Sequence, residues 1–231
     1  MSGKEITIKA HDGGEFMGYL SSPPSGKGPG LVVIQEIFGV NKVMRDLTDQ
    51  FAAQGYVALC PDLFWRQEPG IQITDQSEEE WARAFELFQG FDLDLGVKDL
   101  DSTIELLRTS EGCSGKVGAV GYCLGGRLAY LTTTRTKVDA AVSYYGVYLQ
   151  EHLDETIQSP LMLHIAREDE FVPQEAQDQV IDALKNNDLV TSHVYEGEGH
   201  AFVRAGGKHY SEAATKTSGE RTAAFFKQHL S

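Results

Sequence analysis

The stretch Val117-Gly118-Ala119-Val120-Gly121-Tyr122-Cys123-Leu124-Gly125-Gly126 decides how this chain reads. Its first four residues form an apolar run with strand character, and the segment after it, Arg127 to Thr133, can form a helix. A strand, then Gly-x-Cys-x-Gly, then a helix places the cysteine on a sharp turn. Side chains at the flanking glycines would collide with the neighbouring strand or helix. The helix dipole and free N–H groups directly behind the cysteine favour a thiolate and a developing oxyanion. The pattern alone is weak: with this glycine content, Gly-x-Cys-x-Gly arises by chance about one time in a hundred per cysteine. A cysteine after a strand is also commonly a small buried hydrophobe. Partners elsewhere must decide.

Working outward, Glu5–Lys9 and Phe16–Ser21 flank the turn signal His11-Asp12-Gly13-Gly14 and predict an antiparallel hairpin. Leu31–Ile34 reads as a strand buried on both faces. A helix over Asn41–Ala53 and a strand over Tyr56–Cys60 follow. Pro61–Thr74 reads as an irregular loop, and Ser77 with Glu80 resembles a capping box. The next helix carries Trp81, Phe85 and Phe88, and another runs over Leu95–Arg108. Strand 116–120, the turn, and a helix over 124–133 lead to strands at Ala140–Tyr145 and Leu161–Ala166. A helix from Pro173 to about Leu184, a strand over Val190–Tyr195 and a helix over Glu212–His229 complete the pattern. The alternation predicts one α/β domain over 1–231: a mostly parallel central sheet, helices on both faces and the antiparallel N-terminal hairpin. In such sheets the site lies at the carboxyl ends of the strands.

The net charge of −14 argues against nucleic acid and anionic membranes as partners, because both need a basic face. The three cysteines, Cys60, Cys113 and Cys123, are sparse and odd in number. They point to a reducing compartment, with no disulfide framework and no C-x-x-C metal or redox pair. No secretory signal and no apolar run of spanning length is evident, so a cytoplasmic location is expected.

Two further strand ends carry the expected partners. Asp169 follows strand 161–166, and His200 follows strand 190–195. The chain order Cys123, Asp169, His200 is that of α/β-hydrolase triads. A thiol needs activation at neutral pH; His200 can take its proton and later protonate a leaving alkoxide, and Asp169 can hold the imidazole's tautomer. The N–H groups of Leu124 and Ile37 are placed to form an oxyanion hole. Glu36 follows a buried strand with no cation beside it in sequence. Turned toward the thiol it would be a partly desolvated acid. Each residue has a plainer alternative: Asp169, between Glu168 and Glu170, as a solvated helix cap, and Glu36 as a loop carboxylate. The other histidines read as turn, strand or helix-surface residues.

Six motifs together resemble the dienelactone hydrolase (carboxymethylenebutenolidase) family over essentially the whole chain. They are Gln35–Asn41, Cys60–Leu63, Gly121–Gly126, Tyr144–Val147, Asp169-x-Phe171-Val172-Pro173 and Gly199-His200-x-Phe202. The resemblance implies a cofactor-free, metal-free monomer with Cys123 as nucleophile, His200 as base and Asp169 as its orienter. It implies opening of dienelactone to maleylacetate in chlorocatechol degradation. It also implies that Glu36 hydrogen-bonds the resting thiol and that substrate redirects it. A carboxylate-bearing lactone or ester would be held by two arginines. One matches Arg204; the other position holds Trp81, with Arg83 two residues on. Phe38 and Tyr145, in two of the motifs, are expected beside the substrate. Two further outcomes stay open: a broader carboxylesterase with altered carboxylate recognition, and a thiol or ligand-binding relative without turnover. A glutamine amidotransferase also places cysteine on such a turn, but the Asp-x-Phe-Val-Pro segment argues against it.

Overall fold

The computed structural model describes residues 3–231. Eight strands form one sheet: β1 (Lys4–Lys9), β2 (Glu15–Ser21), β3 (Gly28–Ile34), β4 (Val57–Pro61), β5 (Cys113–Tyr122), β6 (Ala140–Tyr144), β7 (Leu161–Ala166) and β8 (Val190–Tyr195). Their spatial order is β1-β2-β4-β3-β5-β6-β7-β8. The β1–β2 hairpin runs antiparallel at one edge and joins β4 antiparallel; all remaining pairs are parallel. The helices are α1 (Lys42–Ala53), α2 (Glu78–Gln89), α3 (Leu93–Thr109), α4 (Leu124–Arg135), α5 (Gln174–Leu184) and α6 (Glu212–Leu230). Helices α3 and α4 pack together on one face, and α1 and α6 flank a groove on the other. Among the described residues, no helix is long and apolar enough to cross a membrane.

Local chemistry accounts for the element ends that matter. The Asn41 side chain accepts the Met44 amide at 3.2 Å and starts α1. Ser77 likewise caps α2, accepting the Glu80 amide at 3.2 Å. The expected capping box is only half formed: the Glu80 carboxylate binds the Thr74 amide (3.0 Å) and hydroxyl (2.6 Å), tying the preceding loop to the helix. Helix α3 begins at Leu93, two residues earlier than expected, because Asp92 supplies its cap. Strand β6 ends at Tyr144, since Tyr145 has φ of 39° and leaves the strand direction. A short 3-10 turn at Leu149–His152 carried no sequence signal.

The parallel register aligns the strand ends that position the site. Ile34 lies beside Gly121, Tyr122 beside Tyr144, and Tyr144 beside His164. Residues just beyond β3, β5, β6, β7 and β8 therefore converge at one end of the sheet: Glu36, Cys123, Tyr145, Asp169 and His200.

Candidate active site

Cys123 sits between β5 and α4 with φ 57° and ψ −115°. A non-glycine residue in this region is strained by about 1–3 kcal/mol, which surrounding packing must hold in place. The glycines around it leave no room for side chains. A Cβ on Gly121 would lie 1.8 Å from the Gly125 carbonyl oxygen, and one on Gly125 2.4 Å from that of Ile34. The close approach at Gly125 presses the start of α4 against the loop after β3. Among the described residues, neither the Leu124 amide nor the Ile37 amide donates to another protein group. The other positive-φ, non-glycine residues among those described are Tyr145, Tyr148 and Ala201, all at this end of the sheet.

His200 Nδ1 and Asp169 Oδ2 are 2.8 Å apart, with both side chains buried. The other Asp169 oxygen accepts the amides of Phe171 at 2.8 Å and Val172 at 3.2 Å. Asp169 is thus pinned through both oxygens and does not cap α5, whose cap position is Pro173. The His200 ring is flanked edge-on by Phe171 at 4.8 Å and Tyr145 at 5.0 Å. Its Nε2 is buried without a hydrogen-bond partner. Burial opposes charge on this ring, but the Cys123 sulfur and the Asp169 hydrogen bond outweigh it and raise its pKa to about 10. The Cys123 sulfur lies close enough to act on the charge of the ring. Cys60, by contrast, is fully buried in β4, where desolvation pushes its thiol pKa well up.

Arg204 stands where sequence showed no cation near Glu36. Its Nε and Nη2 donate to the two Glu36 oxygens, each at 2.9 Å, and Nη1 donates to Asp75 Oδ2 at 2.8 Å. Burial acts against the guanidinium charge, yet Glu36 holds it firmly protonated. The Tyr145 hydroxyl reaches Glu36 Oε1 at 3.5 Å. The expected hydrogen bond from the resting thiol to Glu36 is not formed, because a guanidinium offers a bidentate, charge-assisted pairing that a thiol cannot match.

A cleft of about 490 Å³ opens over Cys123 and His200. Phe38, Trp81, Phe85, Phe88, Tyr148 and Phe171 supply most of its wall, with Arg204 at its edge. Trp81 stacks on Phe85 at 5.5 Å and meets Phe38 edge-on at 5.1 Å. The spacing of Trp81, Phe85 and Phe88 marks one face of α2; Trp81 lines the cleft as expected, and Phe85 and Phe88 line it with Trp81. Arg83 corrects an expectation: it is held outside the cleft by Glu68 and Glu86, two positions round the helix from Trp81. Tyr145 lies behind His200 rather than on the cleft wall. Asp75 and Tyr148 carry no signal in the sequence. Asp75 lies in a polar loop with no motif, and Tyr148 reaches the cleft through a left-handed residue (φ 57°) just before the 3-10 turn.

The fold is that of the α/β-hydrolases. The chain belongs to the dienelactone hydrolase family, whose pattern it matches over residues 16–230, and it is a hydrolase. A provisionally named carboxymethylenebutenolidase of Azospirillum brasilense is 52% identical over 236 residues, covering 98% of this chain and 99% of its own. The carboxymethylenebutenolidase of Pseudomonas putida is 39% identical over 218 residues, covering 94% and 92%. The crystal structure of a provisionally named dienelactone hydrolase from Klebsiella pneumoniae subsp. pneumoniae superposes with a TM-score of 0.87 at 25% identity, covering 97% and 98%.

Proposed function

We propose that this chain is a cysteine-dependent hydrolase of enol-lactones and esters, with Cys123 as nucleophile, His200 as acid and base, and Asp169 as the residue that positions His200. The observation that carries the reading is the His200 ring: Nδ1 is pinned to Asp169, while Nε2 is buried and unpartnered in a ring that lines the same cleft as Cys123. The sulfur attacks the carbonyl carbon, and the resulting oxyanion is held by the Ile37 and Leu124 N–H groups. The acyl–oxygen bond breaks, and His200 gives its proton to the leaving enolate or alkoxide. His200 then takes a proton from water, whose attack on the thioester releases the acid and frees the thiol. Glu36 is held by Arg204 in the resting site, and a second role for it, as proton acceptor for the thiol, requires its release from that pair.

The resemblance to carboxymethylenebutenolidases supports dienelactone as the reference substrate, and on this reading it is opened to maleylacetate in chlorocatechol breakdown. The same reading takes residues 1–231 as one domain, acting as a cytoplasmic monomer without metal or cofactor. Cys123→Ala should lower kcat for enol-lactones and activated aryl esters by a factor on the order of a thousand or more. Its melting temperature should stay close to that of the parent. Retained turnover in this variant would overturn the assignment.

A further inference from the structure

The arginine at the edge of the cleft is doubly countered. Glu36 takes both Nε and Nη2, and Asp75 takes Nη1. The side chains of all three residues are largely withdrawn from solvent, with relative exposures of 10% for Arg204, 5% for Glu36 and 15% for Asp75. One cation and two carboxylates sum to a formal charge of −1. Burial disfavours the Asp75 anion, but hydrogen bonds from Gln76 and Arg204 hold its carboxyl below the usual range. Asp75 is also fixed through its backbone: the Trp81 indole N–H donates to its carbonyl at 3.0 Å. Trp81 therefore presents a ring to the cleft and, through its N–H, holds the acid that occupies Arg204. The guanidinium also lies 5.0 Å over the Phe38 ring, which covers another of its faces. The cleft as a whole offers aromatic faces and no net positive charge.

We propose that Asp75, held by Trp81, is a specificity-determining residue that directs this cleft toward uncharged, flat, ring-bearing esters and lactones and away from those carrying a carboxylate. A carboxylate on the substrate must displace one of two buried anions from Arg204 before it gains a partner. An uncharged ring stacks on Trp81 and its aromatic neighbours without disturbing the ion trio. The proposal rests on the hydrolase reading above and narrows it: dienelactone, which carries a carboxylate, is then a poorer substrate for this chain than a neutral ring-bearing ester.

The test compares kcat/KM for phenyl acetate and 4-acetoxybenzoate, which share an ester and differ by one carboxylate. The full-length parent should favour the neutral ester by about tenfold or more, and Asp75→Asn should narrow that ratio by about tenfold, since a charge-assisted contact is worth about that much. Trp81→Phe keeps a ring and removes the indole N–H, so it should narrow the ratio in the same direction by less. A parent that prefers the carboxylate ester, or a ratio unmoved by Asp75→Asn, overturns the proposal. A parent that hydrolyses neither ester removes the hydrolase reading instead. Binding of benzoate against benzamide, followed by tryptophan fluorescence, then decides the charge preference by itself: tighter benzamide binding that reverses in Asp75→Asn supports it, and tighter benzoate binding in the parent overturns it.

Discussion

On the wall of the cleft formed by β5 and α4, the backbone sets the geometry. Cys123 is held at positive φ by glycines that permit contacts of backbone on backbone, and the two free amides beside it belong to the main chain. On the facing wall, formed by α2 and the loop after β8, side chains set the geometry. Stacked rings and an ion trio define the surface there, and Phe85 remains 38% exposed. A backbone-built wall has few ways to change and still fold. A side-chain-built wall can exchange residues one at a time, each altering what is bound while leaving the strand ends in place. The contrast separates how the reaction proceeds from what undergoes it.

The sharpest test of the chemical side is Asp169→Asn. It removes the charge that holds His200 and should lower kcat by a factor on the order of a thousand to ten thousand. The pH profile gives an independent check. With the His200 pKa raised, kcat/KM in the parent should persist to a pH well above the ordinary histidine range before falling as the imidazolium loses its proton. Removing a contact that raises this pKa should move the alkaline limb to lower pH in whatever activity remains. An unmoved limb would detach Asp169 from the titration.

Gly121→Ala probes the backbone of the same wall. Its Cβ meets the main chain of Gly125, which cannot retreat as a side chain could. The variant should be less stable by about 1–3 kcal/mol or more, read as a lower urea midpoint with an unchanged slope. Equal stability would show that the elbow is looser than its contacts imply. The smallest effect is expected across the cleft. Phe85→Ala should weaken substrate binding by about 0.5–1.5 kcal/mol, seen as a severalfold higher KM with kcat nearly constant. A large fall in kcat would place the aromatic wall in the chemical step and erase the distinction between the two sides.

Much of the backbone-built wall is legible in the chain. Glycine spacing around Cys123, apolar runs of strand length and the order Cys123, Asp169, His200 are local patterns, and local sterics impose them. The hairpin and six of the eight strands follow from alternation or continuous burial within a residue; β3 and β5 are the exceptions, starting at Gly28 and Cys113 instead of Leu31 and Lys116. The side-chain-built wall was harder to read because its decisive contacts are long-range. Arg204 and Glu36 lie 168 residues apart, and Arg204 and Asp75 lie 129 apart, so neither pair leaves a spacing to recognise. The apolar face of α2 has the same periodicity whether it packs on a core or lines a cleft.

By itself, then, the sequence determined the strand–turn–helix architecture and marked the proposed nucleophile, acid and base at its strand ends, because backbone sterics and hydrophobic periodicity act over a few residues. Only the tertiary structure decided that Glu36 is held by Arg204, that Asp75 joins them, and that Arg83 faces away while Trp81 faces in. Charge pairing and burial act through space, and proximity in space is what the folded sheet supplies.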